Sequence, residues 1–181
     1  MLRLLLVLLL FAVACGASGL YGALHNQISY TVSPEYFTKF KFEQFEINPS
    51  LPERVGAALV GWQASWWMGV VIGFFLIPFG LLIRGAAAYF YGMLRVFLIV
   101  VLTAMMCGLV ALAVSFFTIT ASSVEGLEVY GNEISNPVNF LRAGAMHNFG
   151  YAGGLAGVIT GGLSIIRQFL RDETGSGKLF S

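Results

Sequence analysis

The stretch from Asn136 to Gly162, NPVNFLRAGAMHNFGYAGGLAGVITGG, decides how the rest of the chain is read. Asn136-Pro137 is a helix-start signal. Arg142 and His147 follow, and then glycines recur inside an apolar run. Gly150 and Gly154 are four apart, and Gly153, Gly157 and Gly161 continue the spacing. Residues three and four apart share a helix face. A glycine face lets backbones approach until van der Waals contact replaces the hydrophobic drive that lipid does not supply. The stretch reads as the last transmembrane helix of a small bundle, with its partner in the same chain or in another copy.

Composition agrees. Of 181 residues, 57% are hydrophobic and 10% charged, and the mean hydropathy is +0.81; a soluble domain has about 25% charged residues. Several apolar runs occur, none longer than one span, which predicts one multi-pass domain over residues 1–172 and a cytoplasmic tail over 173–181. The net charge of +1 gives no reason to invoke nucleic acid. Cys15 and Cys107 lie in predicted spans and read as small apolar core residues.

The predicted spans cover about 4–24, 62–83, 96–117 and 147–168, with loops over 25–61 and 118–146. Ala12-Val13-Ala14-Cys15-Gly16 also resembles the end of a secretion signal. The apolar run continues through Gly19-Leu20-Tyr21-Gly22 instead of turning polar, which favours a retained helix. In the first loop, Ile28, Tyr30 and Val32 alternate with polar residues and suggest a short strand, with 126–131 as its partner. Phe37, Phe40, Phe42, Phe45 and Ile47 form an aromatic side that needs a surface to cover. Ser50-Leu51-Pro52-Glu53 has capping-box spacing. Trp62, Trp66 and Trp67 suit an interfacial belt, Gly69 and Gly73 form a packing pair, and Pro78 is a kink candidate. Arg84 to Arg95 reads as a basic turn, and the chain from Arg171 onward as a disordered polar tail.

Arg3, Arg84, Arg95, Arg167, Arg171 and Lys178 fall on one side with two acidic residues. Lys39, Lys41, Arg54 and Arg142 fall on the other with seven glutamates. The positive-inside rule then puts both termini in the cytoplasm. The pattern NPxxxxRxGA occurs at Asn48 to Ala57 and again at Asn136 to Ala145, each time opening the second helix of a hairpin, as two parallel helical hairpins would.

The residues with chemistry to offer are His25, Arg54, Arg142, His147 and Asn148. Two imidazoles at similar depth, with Glu53 or Glu133, are the only candidate metal ligands; no HxxH, HExxH or CxxC spacing supports a metal, and no cofactor is expected. Arg54 and Arg142 are expected to pair with loop glutamates, the alternative being a lipid headgroup or an anionic substrate. Gln63 and Asn148 are expected to bond between helices. No polar stripe crosses the middle, which counts against an ion path.

HNQISYTVSPEYFTKFKF, GWQASWWMG and MHNFGYAGG together resemble a family of small bacterial four-helix membrane proteins with no assigned activity. The resemblance covers both loops and the helices after them. It implies a bacterial inner-membrane location and a cluster of His25, Tyr30, Pro34, Tyr36, Phe37, Trp62, Trp66, His147, Asn148 and Tyr151 at the outer face. The reading is an all-α four-span bundle under a small extracytoplasmic cap with short strands. It would act as a non-enzymatic structural or accessory subunit, in the bilayer, with a second copy or another membrane protein as partner. The alternative is a small-molecule, lipid or metal site under the cap, serving transport or catalysis.

Overall fold

A computed structural model describes residues 2–121, 124 and 128–177, with side chains as far as 174. Of the features expected above, Glu125, Gly126, Leu127 and Lys178 lie outside the described residues. The chain is mostly helical: α1 (Leu2–Val32), α2 (Pro34–Tyr36), a π-helical turn (Phe37–Lys41), α3 (Phe42–Gln44), α4 (Glu53–Ser65), α5 (Met68–Gly80), α6 (Ala86–Thr118) and α7 (Pro137–Gly177). Two short strands, β1 (Glu128–Val129) and β2 (Asn132–Glu133), pair antiparallel before α7. Helices α1, α6 and α7 are long and apolar enough to cross a membrane, and α4 with α5 makes a fourth if that bent pair is one span.

Several boundaries differ from expectation. Residues 28–32 are not a strand: they extend α1, because lengthening an existing helix adds a hydrogen bond per residue without a new nucleus. The extension is held on α4, where Asn26 Nδ2 donates to the Ala57 carbonyl at 2.9 Å and Gln27 Nε2 to that of Arg54 at 3.0 Å. It ends at Ser33, which is extended before Pro34 and accepts the Tyr36 N–H at its hydroxyl. The strand expected to join it is instead a hairpin with its own neighbour, turned by Tyr130 and Gly131, both at positive φ. Helix α4 begins at Glu53 without a Ser50 cap, since the Ser50 N–H and hydroxyl both bond to Asn48 Oδ1. The bend falls at Trp66–Trp67, where α4 and α5 meet at 42°, rather than at Pro78. Pro78 sits two residues from the end of α5, whose Ile77 carbonyl takes the Tyr89 hydroxyl instead. The basic turn shrinks to five residues before α6, with Gly85 at φ 87°. Helix continues through Arg171 to Gly177, where a disordered tail was expected; Glu173 reaches Arg84 at 2.6 Å and ties that turn to the end of α7.

Helix α1 packs along α4 and α5, and α6 along α7. Glycines set both spacings. A Cβ on Gly22 would stand 2.1 Å from the Gly61 carbonyl oxygen, and one on Gly61 equally close to that of Gly22. Gly69 lies against the Cys15 backbone and Gly73 against Phe11. On α7, Gly153 and Gly157 lie against the backbone at Ala104 and Val100 of α6, Gly161 against Val96 and Leu76, and Gly150 against Tyr21 and His25, whereas Gly154 has nothing within 4 Å. The partners of the α7 ridge are thus in the same chain. Two cores result. An apolar one around Leu10, Ile77, Met93, Val96 and Ile165 lies toward the arginine-rich end. An aromatic one around Tyr36, Phe37, Val60 and Phe140 lies under the loops, where Phe42 and Ile47 close over Gly56. Cys15 and Cys107 are free thiols.

Gly22→Ala and Gly61→Ala force two backbones apart and should lower stability by about 3 kcal/mol, the upper end of overpacking costs. Gly154→Ala should be neutral or stabilising by about 0.5–1 kcal/mol, the helix cost of glycine. Thermal unfolding of the detergent-solubilised variants measures both.

Candidate functional site

Between the two cores lies a polar layer. Tyr21, His25 and Ser29 recur every four residues and so share one face of α1. His147, Gly150 and Tyr151 come from the facing turn of α7, and Tyr36 and Phe37 cover them from the loop. The imidazoles of His25 and His147 meet edge to face with ring centroids 4.8 Å apart. Tyr36 packs on His147 at 4.9 Å and Tyr21 on His25 at 5.5 Å. His147 Nε2 and the buried Ser29 hydroxyl share a hydrogen bond of 3.0 Å. His25 Nδ1 reaches Asn26 Oδ1 at 3.5 Å and the Met146 backbone lies beside the ring, but His25 Nε2 and the Tyr21 hydroxyl, both buried, close no well-formed hydrogen bond.

Those two atoms converge near Gly150, where a Cβ would stand 2.9 Å from the Tyr21 hydroxyl and 3.3 Å from His25 Nε2. A cavity of about 30 Å³ opens beside them, lined by Tyr21, His25, Lys41, Ser65, His147 and Tyr151. A second, of about 40 Å³, continues toward the apolar core past Met68, Ile72 and Val100. One water occupies roughly 10–15 Å³ on this measure, so the upper cavity suits one or two waters bonded to these groups and is far below the size of an organic-ligand site. Lys41 reaches over the Phe40 ring at 4.2 Å and donates to Gln44 at 2.8 Å; burial pulls its pKa down, and burial pushes the Tyr36 phenol up.

The loops are fastened to the helices by charge and backbone amides. Glu35 pairs with Lys39 at 2.6 Å and accepts the N–H groups of Ser135 and Asn136, at 3.1 and 2.8 Å. Lys39 donates to the Glu133 carbonyl at 2.7 Å, and Asn132 Nδ2 to Glu43 at 2.7 Å. Lys39 and these amides, working against burial, hold the Glu35 carboxyl at about 2, below its ordinary 4.5.

The other expected residues lie elsewhere. Glu53 accepts the Tyr30 hydroxyl and does not reach the histidines. Among the described residues no group of three His, Cys, Asp or Glu is placed to hold a metal. Neither Arg54 nor Arg142 pairs with a glutamate among the described residues. Each instead reaches the last turn of the preceding long helix, where carbonyls carry the negative end of the helix dipole. Arg54 lies over the Tyr30 ring at 4.9 Å and donates to Thr31 Oγ1 at 3.3 Å. Arg142 lies over Phe116 at 4.3 Å and donates to the Ile119 carbonyl at 3.1 Å. Asn148 and Gln63 are exposed on the bundle surface rather than bonded between helices. Of the residues that the resemblance groups, His25, Tyr30, Tyr36, Phe37 and His147 are neighbours, while Trp62 and Trp66 point outward. Ser29, Tyr21 and Asn26 were not expected at the site. The four-residue spacing of Tyr21 and Ser29 with His25 is visible in the sequence, hidden there by the competing alternation around Tyr30. No family model, curated protein or solved structure matches the chain.

Two outcomes follow. Ser29→Ala leaves His147 without its partner and should destabilise by about 1–3 kcal/mol, read by thermal unfolding. Glu35, with its folded pKa below the unfolded one, stabilises the cap fully above pH 4.5, and that contribution fades as pH falls toward 2. Hydrogen exchange at the Ser135 and Asn136 amides, corrected for intrinsic rates, should accelerate over that window, and Glu35→Gln should remove the dependence.

Proposed function

We propose that the chain is a four-span membrane bundle, with α4 and α5 together forming the second span. It acts as a non-enzymatic structural or accessory subunit through its loop-built cap and its helix surfaces. The observation that carries this reading is the use made of the polar side chains at the loop end. Glu35, Lys39, Asn132 and Arg54 are all spent on backbone groups and helix ends. They stiffen the cap instead of converging on a space that a substrate can enter. The motif resemblance points to a bacterial inner membrane, and the arginines gathered at the opposite end point to cytoplasmic termini. Gly16, with nothing within 4 Å, borders a groove of about 400 Å³ with Ala12, Cys15, Trp62 and Trp66. Its small residues suit a helix from a second copy or another membrane protein.

One observation favours a second reading, a small-ligand site under the cap: the unpartnered His25 Nε2 and Tyr21 hydroxyl beside the upper cavity. Its volume restricts the occupant to water or something no larger.

In a background without Cys15 and Cys107, an impermeant maleimide applied to intact cells should label a cysteine at position 43 and not one at position 174. The reverse pattern inverts the map. The gently solubilised protein should run as an oligomer or with a second membrane protein; a clean monomer removes the subunit role.

A further inference from the structure

On the face of the α6–α7 pair beside Cys107 lies an apolar trough of about 500 Å³, walled by Met106, Val110 and Val114 of α6, by Ile119 just past its end, and by Ala145 and Phe149 of α7. From Met106 to Ile119 it runs along about 20 Å of helix rise, comparable to one leaflet of hydrocarbon, half of a core of about 30 Å. Arg142 does not wall the trough but bonds to Ile119 at its loop-side end. It precedes Ala145 by three residues and Phe149 by seven, which puts all three on one face of α7. Its Nη2 donates to the carbonyl of Ile119, itself a wall residue, and its Nη1 to Asn139 Oδ1, both at 3.1 Å. Its Nε is buried and has no partner, and among the described residues it forms no ion pair. Arg54, at the matching place in the first hairpin, is exposed, where water completes its bonding.

A guanidinium with a spare N–H at the mouth of an apolar trough one leaflet deep offers the two halves of a phospholipid in their natural order. We infer that this trough is a phospholipid site. An acyl chain lies between α6 and α7, and a small shift of the side chain brings Arg142 onto the phosphate, which matches its planar fork of donors. The inference rests on the membrane reading of α6 and α7 alone, not on the number of spans.

The full chain, purified in mild detergent, is tested by native mass spectrometry for retained phospholipid. Phosphatidylglycerol or diacylglycerol is then titrated into delipidated protein while Tm is followed. Phospholipid should be retained, and phosphatidylglycerol should raise Tm while the phosphate-free diacylglycerol does not. Arg142→Gln should weaken binding roughly 10- to 100-fold, the scale of a lost charged hydrogen bond. Val114→Trp, at a half-exposed wall residue that tolerates change, should block the trough with Arg142 intact, and Arg54→Gln should bind as the unaltered protein does. Equal retention in all four proteins, an equal response to both lipids, or a lipid-free dimer that covers the trough overturns the assignment. Release of the protein from membranes by alkaline carbonate would overturn the membrane reading with it; an integral protein that retains no phospholipid overturns the site alone.

Discussion

The contact of Gly22 with Gly61 sets the terms for the rest of the molecule. Only without Cβ atoms can α1 and α4 bring backbone against backbone. At that spacing the Asn26 amide reaches the Ala57 carbonyl. The last two turns of α1 are then carried past the apolar region as helix, and His25 and Ser29 arrive opposite His147. The loop that follows must turn back over this layer, which places Tyr36 and Phe37 as its roof.

The two hairpins open their second helices with the same NPxxxxRxGA pattern, yet the copies are not alike. Pro137 starts α7 directly, whereas α4 waits until Glu53 because Asn48 binds Ser50 in a turn of its own. The arginines nevertheless do the same work: each guanidinium lies on an aromatic ring and bonds at the end of the preceding helix. Cation–π stacking and dipole pairing need no carboxylate, which is why the glutamates among the described residues did not capture them.

What the sequence made legible was the part governed by hydrophobicity and residue size: the long apolar helices, the placement of glycines on helix faces, the loops as polar connections. What it hid was decided by competition between nearly equal local choices. Ile28, Tyr30 and Val32 alternate as a strand would, and only the presence of a helix already running into them tips the outcome. The break at Trp66–Trp67 carries no proline or glycine between its residues. Of the site, the histidines and Arg142 were visible by type, but Asn26 and Ser29 matter through partners more than thirty residues away, Ala57 and His147.

The polar layer between the two cores has a consequence for assembly. In a bundle smoothed by glycine, one helix slides past another with little resistance, since a shift by one turn of about 5.4 Å replaces apolar contact by apolar contact. A shift of α7 along α1 would take His147 from the Ser29 hydroxyl and break its packing on His25 and Tyr36. The imidazole pair therefore works as a latch that admits a single vertical alignment, as a lone buried amide does in a coiled coil.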